Sequence, residues 1–436
     1  METTETEKTE KTKKRAHIGR YGWLLIIFGA CVMMMGGPLW DAIAMNALSG
    51  GLAANIGVAE AAILSGVTIA AIIQVFIVLG YGFLMTRIGT RFLMGALMVL
   101  SGIMVILLGH ISNYVVFIIV WAINLSCASF VGMGCLGELF GKFFPTKKGF
   151  VLGWATCGAA FSTILCVPIL NQGIARVSMP FALLIIGLIT LGLGVICFFI
   201  PHSPEKIGKL PDNGDSDPIA LEMIEKSKES HEPVWTRAEA FKNKNFWLIS
   251  IGYGLLYLVT PGVVMQLIPY EISMGMAPTM AMGLLMIFAA IGFAGSFVTG
   301  IMDQRIGVRL TGIIVCLVFG IACLCGGAFP FNWLTNILFV GLLGFFNGGI
   351  NNIPMSHAVS VYGSESFSRM WTFIFPIIRV ISACAGVTLA LFMNATGSTR
   401  GAYTLFGILA FVGAVLVFFT NERLEKEPGK APVVVK

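Results

Sequence analysis

A single arginine interrupts the run FIFPIIRVISACAG, Phe373 to Gly386, which is otherwise apolar enough for a lipid bilayer. Twelve residues into an expected span, Arg379 falls near the middle of a hydrocarbon core. Placing it there costs about 3 kcal/mol or more, so its side chain is expected to face a bundle interior. The residues on its helical face, at offsets of −7, +4 and +7, are Thr372, Ala383 and Gly386. Small and polar neighbours leave room for a ligand beside the guanidinium. A planar guanidinium pairs with a carboxylate through two parallel bonds, which points to a carboxylate ligand. The alternative is an internal ion pair. Asp41 falls near the outer third of its span, and Glu271 and Glu138 fall at span ends. Of these, only Asp41 is within plausible reach.

Other polar residues fall at useful depths. Asn347 and Asn351 share a helical face at i, i+4, beside Asn352 and in a segment loosened by Gly348, Gly349 and Pro354. Gln266 and Tyr257 share one span, while Gln74 and Asn124 stand in two others. Each can line a cavity or make an interhelical hydrogen bond. Trp40 and Tyr257 can stack on a ligand or simply pack. Asp41 is the candidate for proton coupling, or else an interfacial residue near the mouth. His357 reads as a boundary residue. Pro38 and Pro261 break two helices that would suit gates.

Positioning these residues requires membrane-spanning helices. Of 436 residues, 57% are hydrophobic and 11% charged, too few charges to cover a soluble protein of this size. Apolar runs of 18 or more residues recur. Twelve spans are expected, over 22–45, 58–83, 92–110, 113–139, 149–172 and 179–200, then 246–270, 278–302, 310–329, 333–357, 367–393 and 401–420. The fold class is therefore an all-α polytopic membrane protein. Its expected parts are a cytoplasmic tail over 1–20, a six-helix half over 21–200, a cytoplasmic loop over 201–245, a second half over 246–420 and a tail over 421–436. With both termini inside, 25 of the 28 Lys and Arg are cytoplasmic, Arg176 and Arg400 lie outside, and Arg379 is buried in a span. The ten cysteines lie in apolar stretches and read as packing residues, with no zinc or disulfide pattern.

The two halves also repeat. GFLMTRIGTR, Gly82 to Arg91, ends the second expected span, and GIMDQRIGVR, Gly300 to Arg309, ends the eighth. The shared residues are Gly82, Arg87, Ile88, Gly89 and Arg91 in the first copy, and Gly300, Arg305, Ile306, Gly307 and Arg309 in the second. Internal duplication of this kind belongs to transporter architecture. The pattern resembles the G-x-x-x-D-R-x-G-R-R loop of the major facilitator superfamily. That resemblance implies two pseudo-symmetric six-helix halves and alternating access. Thr86 and Gln304 stand where the family has aspartate, and Asp303 comes one place early, which puts the family's conformational lock in question. LFGKFFPTKKGFVLGWATCGAA (139–160) and WTRAEAFKNKNFWLIS (235–250) resemble the oxalate:formate antiporter and monocarboxylate transporter group. In that group the oxalate-transporting member has basic residues on spans eight and eleven. Arg379 matches the second of these in type. Ser296 stands at about the first, and a single positive charge favours a monoanion over a small dianion.

The expected function is transport of a small organic anion, a monocarboxylate, across the plasma membrane, by a protein that is multi-pass and monomeric. The expected partners are the substrate and the lipid bilayer, without nucleic acid. No cofactor, metal site or enzyme motif is expected. The rival readings are an exporter of amphipathic compounds, which predicts tolerance of Arg379→Ala, and a membrane sensor that keeps the fold without transporting. NAT at Asn394 is a formal glycosylation sequon.

Overall fold

The computed structural model describes residues 18–36, 39–40, 44–144, 147–201, 203–207, 235–264, 266–421, 424–425 and 433–434. Pro38 and Asp41 lie outside the described residues. So do most of the expected N-terminal tail and the ALEMIEKSKE stretch of the expected loop.

Ten helices are long and apolar enough to cross a membrane, and two shorter apolar helices, Gly19–Met35 and Trp333–Asn347, stand with them. These are the twelve spans. Two are longer than the sequence pattern implies. Helix Met45–Ile56 continues the first beyond its break, and Leu267–Ser273 continues the seventh. The ends of the bundle carrying residues 18 and 421 are called the near end, and the opposite ends the far end.

Pairing between spans repeats in the two halves. Spans one (Gly19–Met35) and five (Lys148–Arg176) pack as spans seven (Lys244–Val264) and eleven (Ser366–Thr396) do. Spans two (Glu60–Ile88) and four (Tyr114–Phe143) match eight (Pro278–Ile306) and ten, which begins as Trp333–Asn347. Spans three (Thr90–Leu108) and six (Met179–Cys197) match nine (Val308–Gly327) and twelve (Arg400–Phe418). The halves meet along two seams, span two on eleven and span five on eight.

With no hydrophobic drive between helices in lipid, close approach of backbones carries the packing. A Cβ at Gly153 would lie 2.8 Å from the Cα of Gly300, so spans five and eight touch backbone to backbone. A Cβ at Gly82 would lie 2.8 Å from the Cα of Thr372, its counterpart in the other seam. Within the second half, Gly292 and Gly295 of span eight interlock with Gly344, Phe345 and Gly348 of span ten.

The duplicated loops adopt one backbone shape. Gly89 has φ +81° and ψ +154°, and Gly307 has φ +86° and ψ +155°. Only glycine takes that region without strain, which explains the glycine in both copies. The four motif arginines lie at the near end of the bundle. Arg87 and Arg305 are exposed in the last turns of spans two and eight, and Arg91 and Arg309 lie over the rings of Phe92 and Phe418.

The two copies differ at the acidic position. Thr86 is exposed and donates to the Phe83 carbonyl at 2.8 Å. Asp303 is buried, with its carboxylate against Gly149 in the first turn of span five, where any side chain would overlap it. A carboxylate at a helix N-terminus is favoured by the peptide dipoles. Lys148 reaches Ser360 across the same end, and Phe367 and Met355 cover Gly137. The two halves thus touch at the near end.

Two irregularities were not legible in the sequence, and a third falls where Gly348, Gly349 and Pro354 loosen span ten. Spans four and five carry π turns at Val131–Cys135 and Ser162–Cys166. In span five, Pro168 follows at once. A proline has no N–H to give the carbonyl four residues earlier, here Ile164, so the regular ladder is interrupted at this turn. Span ten stops at Asn347, turns through 348–352, and resumes at Ile353. The expectation of no β structure meets one small exception, Leu424–Glu425 paired antiparallel with Val433–Val434. Most cysteines are buried, Cys31 is half-buried and Cys384 is exposed.

Candidate functional site

Between the halves lies a cavity of about 160 Å³. Spans two, four, five, seven, eight, ten and eleven all contribute to its walls. Much of the surface is apolar, from Val67, Leu125, Val264, Leu285 and Phe288 among others. Its polar residues include Arg379, Tyr257, Asn347, Asn351 and Ser382.

Arg379 is 7% exposed. Its Nη2 and Nε donate to the Oε1 of Gln74 at 2.7 and 3.3 Å, across the seam between spans eleven and two. Gln74 in turn donates from Nε2 to the Leu125 carbonyl at 3.2 Å and to Ser129 Oγ at 2.5 Å. The carbonyl can only accept. That fixes the amide with its oxygen toward the guanidinium. Ala383 and Gly386, the expected helical neighbours of Arg379, line the cavity beside it. Thr372 does not. A step of −7 carries it two turns toward the near end, where it packs on Gly82.

Tyr257 lies where span seven lacks one helical hydrogen bond. Pro261 lies inside that helix, one turn later, and has no N–H to give the Tyr257 carbonyl. The hydroxyl of Ser382, on span eleven, donates to that carbonyl instead at 3.0 Å. The Tyr257 hydroxyl donates to Asn351 Oδ1 at 2.8 Å and reaches the Ile350 carbonyl at 3.3 Å, both in the turn that interrupts span ten. It also approaches Met133 Sδ, in the π turn of span four, at 3.1 Å. Broken helices thus meet at one side chain. Tyr257→Phe is expected to cost about 1 kcal/mol, read as a fall of about 1–2 °C in the unfolding midpoint. An unchanged midpoint would show that water replaces these bonds.

The structure brings Arg379, Tyr257, Asn347, Asn351 and Pro261 to one cavity. Trp40 and Gln266 fall outside its lining. Trp40 is fully buried, donates from Nε1 to the Met35 carbonyl at 2.9 Å and packs edge-on against Trp121. Gln266 precedes Leu267–Ser273, at the break in span seven. Ser296 is buried in the seam, bonded to Thr156 Oγ1 at 2.6 Å and to the Gly153 carbonyl at 2.8 Å. Glu138 pairs with Lys142 at 2.6 Å, and Glu271 accepts from Asn336 at 2.9 Å at the far end of span seven. Asn124 accepts from Ser101 at 2.7 Å. His357 is buried between Tyr253, at 2.8 Å, and the Asn421 carbonyl, at 3.2 Å. Sequence reasoning missed Thr68, Thr163 and Thr260 in the lining. Gln74, read as lining a cavity or making an interhelical hydrogen bond, makes the bond, with Arg379 as a partner the sequence did not identify.

Twelve spans in two like halves around a central cavity define a polytopic helical membrane protein of duplicated architecture. The chain belongs to the Major Facilitator Superfamily, whose sequence model matches residues 23–387. It is similar to Monocarboxylate transporter 12 of Rattus norvegicus, 24% identical over 330 residues, 68% of this chain and 65% of that one. It is also similar to the Oxalate:formate antiporter of Oxalobacter formigenes, 23% identical over 389 residues and 85% of each chain. Membrane sensor protein UhpC of Salmonella typhimurium is 27% identical over 194 residues, so the match spans 42% of each. Among solved structures, the proton:xylose symporter XylE bound to 6-bromo-6-deoxy-D-glucose superposes with a TM-score of 0.72 at 13% identity, covering 90% of this chain and 95% of that one. The human organic anion transporter MFSD10 gives 0.67 at 12% identity, covering 90% and 98%. At these identities the structures establish the fold.

Proposed function

We propose that the protein is a secondary active transporter of a small organic anion, a monocarboxylate, working by alternating access in the plasma membrane with both termini cytoplasmic. The observation that carries this reading is Arg379, a buried cation in the wall of the cavity between the halves. A guanidinium in a site of low dielectric attracts a carboxylate strongly. The size and character of the cavity support the rest. A closed apolar cavity of about 150 Å³ takes up benzene, so 160 Å³ suits a carboxylate on a compact apolar body. Ser296 at the position of the family's second basic residue leaves no second positive charge there to hold a small dianion. The excess of Lys and Arg on one side supports the orientation.

The test is uptake into proteoliposomes of labelled acetate, L-lactate, benzoate and oxalate, with and without internal anion. Saturable uptake of a monocarboxylate, accelerated by internal anion, is the expected result. Preferred uptake of oxalate, or no uptake of any acid, would overturn the reading. Binding of the anion without exchange would favour a sensor.

A further inference from the structure

We propose that Gln74 is the positioning residue that aims Arg379 and keeps the site selective for anions, acting through its neutrality as well as its hydrogen bonds. This rests on the carboxylate reading above.

The argument starts from the geometry of one amide. Gln74 is fully buried on span two, and both its polar atoms are used. Its Nε2 is committed to Leu125 O and Ser129 Oγ on span four, within its own half. Its oxygen receives both Nε and Nη2 of Arg379 from the other half. Span four thus holds the amide, and the amide holds one edge of the guanidinium. Arg379 has five donors in a rigid plane, so fixing two of them fixes the direction of the rest.

A carboxylate is the usual partner for a buried guanidinium and would reach the same N–H groups, with its second oxygen turned to the Leu125 carbonyl that the amide N–H now meets. An amide binds the same N–H groups without a charge of its own. Gln74 can therefore orient the guanidinium without competing electrostatically for it. A negative charge at this site would sit within 2.7 Å of Arg379 and offset the attraction for any anion in the cavity. The contact also crosses a seam between halves. Whatever weakens the hold on Arg379 acts on the interface that has to open.

The test uses full-length protein in proteoliposomes, with the monocarboxylate of the above panel taken up fastest by wild type as the probe. Gln74→Glu keeps acceptors for Arg379 and adds the charge. Gln74→Met keeps the size and neutrality but loses every hydrogen bond. The expected result is a KM for Gln74→Glu at least tenfold above that of Gln74→Met, with Gln74→Met losing chiefly kcat. Unfolding midpoints report any loss of fold separately. A purely structural interhelical bond predicts the opposite order, because glutamate retains the link to Arg379, though not the one to Leu125, and methionine retains neither. A Gln74→Glu KM within threefold of wild type, or equal KM values for the two variants, overturns the inference and leaves the carboxylate reading standing. Wild type that takes up none of the acids overturns both.

Discussion

Arg379→Gln is expected to lower the apparent affinity for the transported anion by about a hundredfold while leaving a folded protein. Losing a charge-assisted pair in a desolvated site costs roughly 2–5 kcal/mol, and about 1.4 kcal/mol is a factor of ten. The fold should survive for a reason visible in the structure. The glutamine at 379 is polar and of similar reach, and its amide can still meet Gln74. The measurement is concentration-dependent uptake beside an unfolding midpoint. Wild-type uptake by the variant would make Arg379 a structural residue and shift the substrate search to neutral or amphipathic compounds. Arg379→Lys is the sharper companion. It keeps the charge but loses the planar fork, so it should recover only part of the affinity.

The second large effect concerns the crossing of spans eight and ten. At Gly295 a Cβ would overlap the carbonyl oxygen of Phe345, and at Gly348 it would overlap that of Gly292. These obstacles are backbone atoms, which cannot rotate aside as a side chain can. Gly295→Leu must push the two helices apart, and overpacking of this kind costs 1–3 kcal/mol or more. The expected outcome is loss of monodisperse protein on extraction. Gly283→Ala, on the same span, meets nothing within 4 Å and should behave as wild type. Equal yields from the two variants would show that the crossing can adjust. The crossing also bears on the site, because Gly292 and Gly348 both line the cavity.

What the sequence made legible follows from what each signal measures. Hydropathy reports the twelve spans because length and apolarity are all that a span requires. It placed Arg379 because a charge in an apolar run has one economical location. The four and seven residue steps found Ala383 and Gly386, since they lie within two turns on the cavity side. The same rule misplaced Thr372 because periodicity gives a direction around the helix and says nothing about where the cavity ends along it. Gln266 was read from depth alone, and Trp40 as stacking on a ligand or packing, of which it packs. Both stand beside interruptions of a span, where depth no longer predicts which way a side chain points. The π turns at Val131–Cys135 and Ser162–Cys166 left no periodic trace, because one extra residue in a turn shifts the phase without changing composition. The small and hydroxyl-bearing residues that make the cavity look, in sequence, like ordinary helix-packing positions.

The duplication has one more consequence, seen by overlaying the seams. Gly82 against Thr372 in one seam corresponds to Gly300 against Gly153 in the other. Moving from those anchors by the same steps along the chain, the counterpart of Gln74 is Gly292 and the counterpart of Arg379 is Ala160. Gly292, Ala160 and Arg379 all line the cavity. The two seams thus differ in opposite senses. One seam carries the cation and the amide that aims it. The other carries a methyl group and a hydrogen atom in their places, and the volume left there is part of the space a substrate would occupy. The lopsidedness of an inherited symmetry, more than any single residue, gives the chamber a charged wall and an empty one.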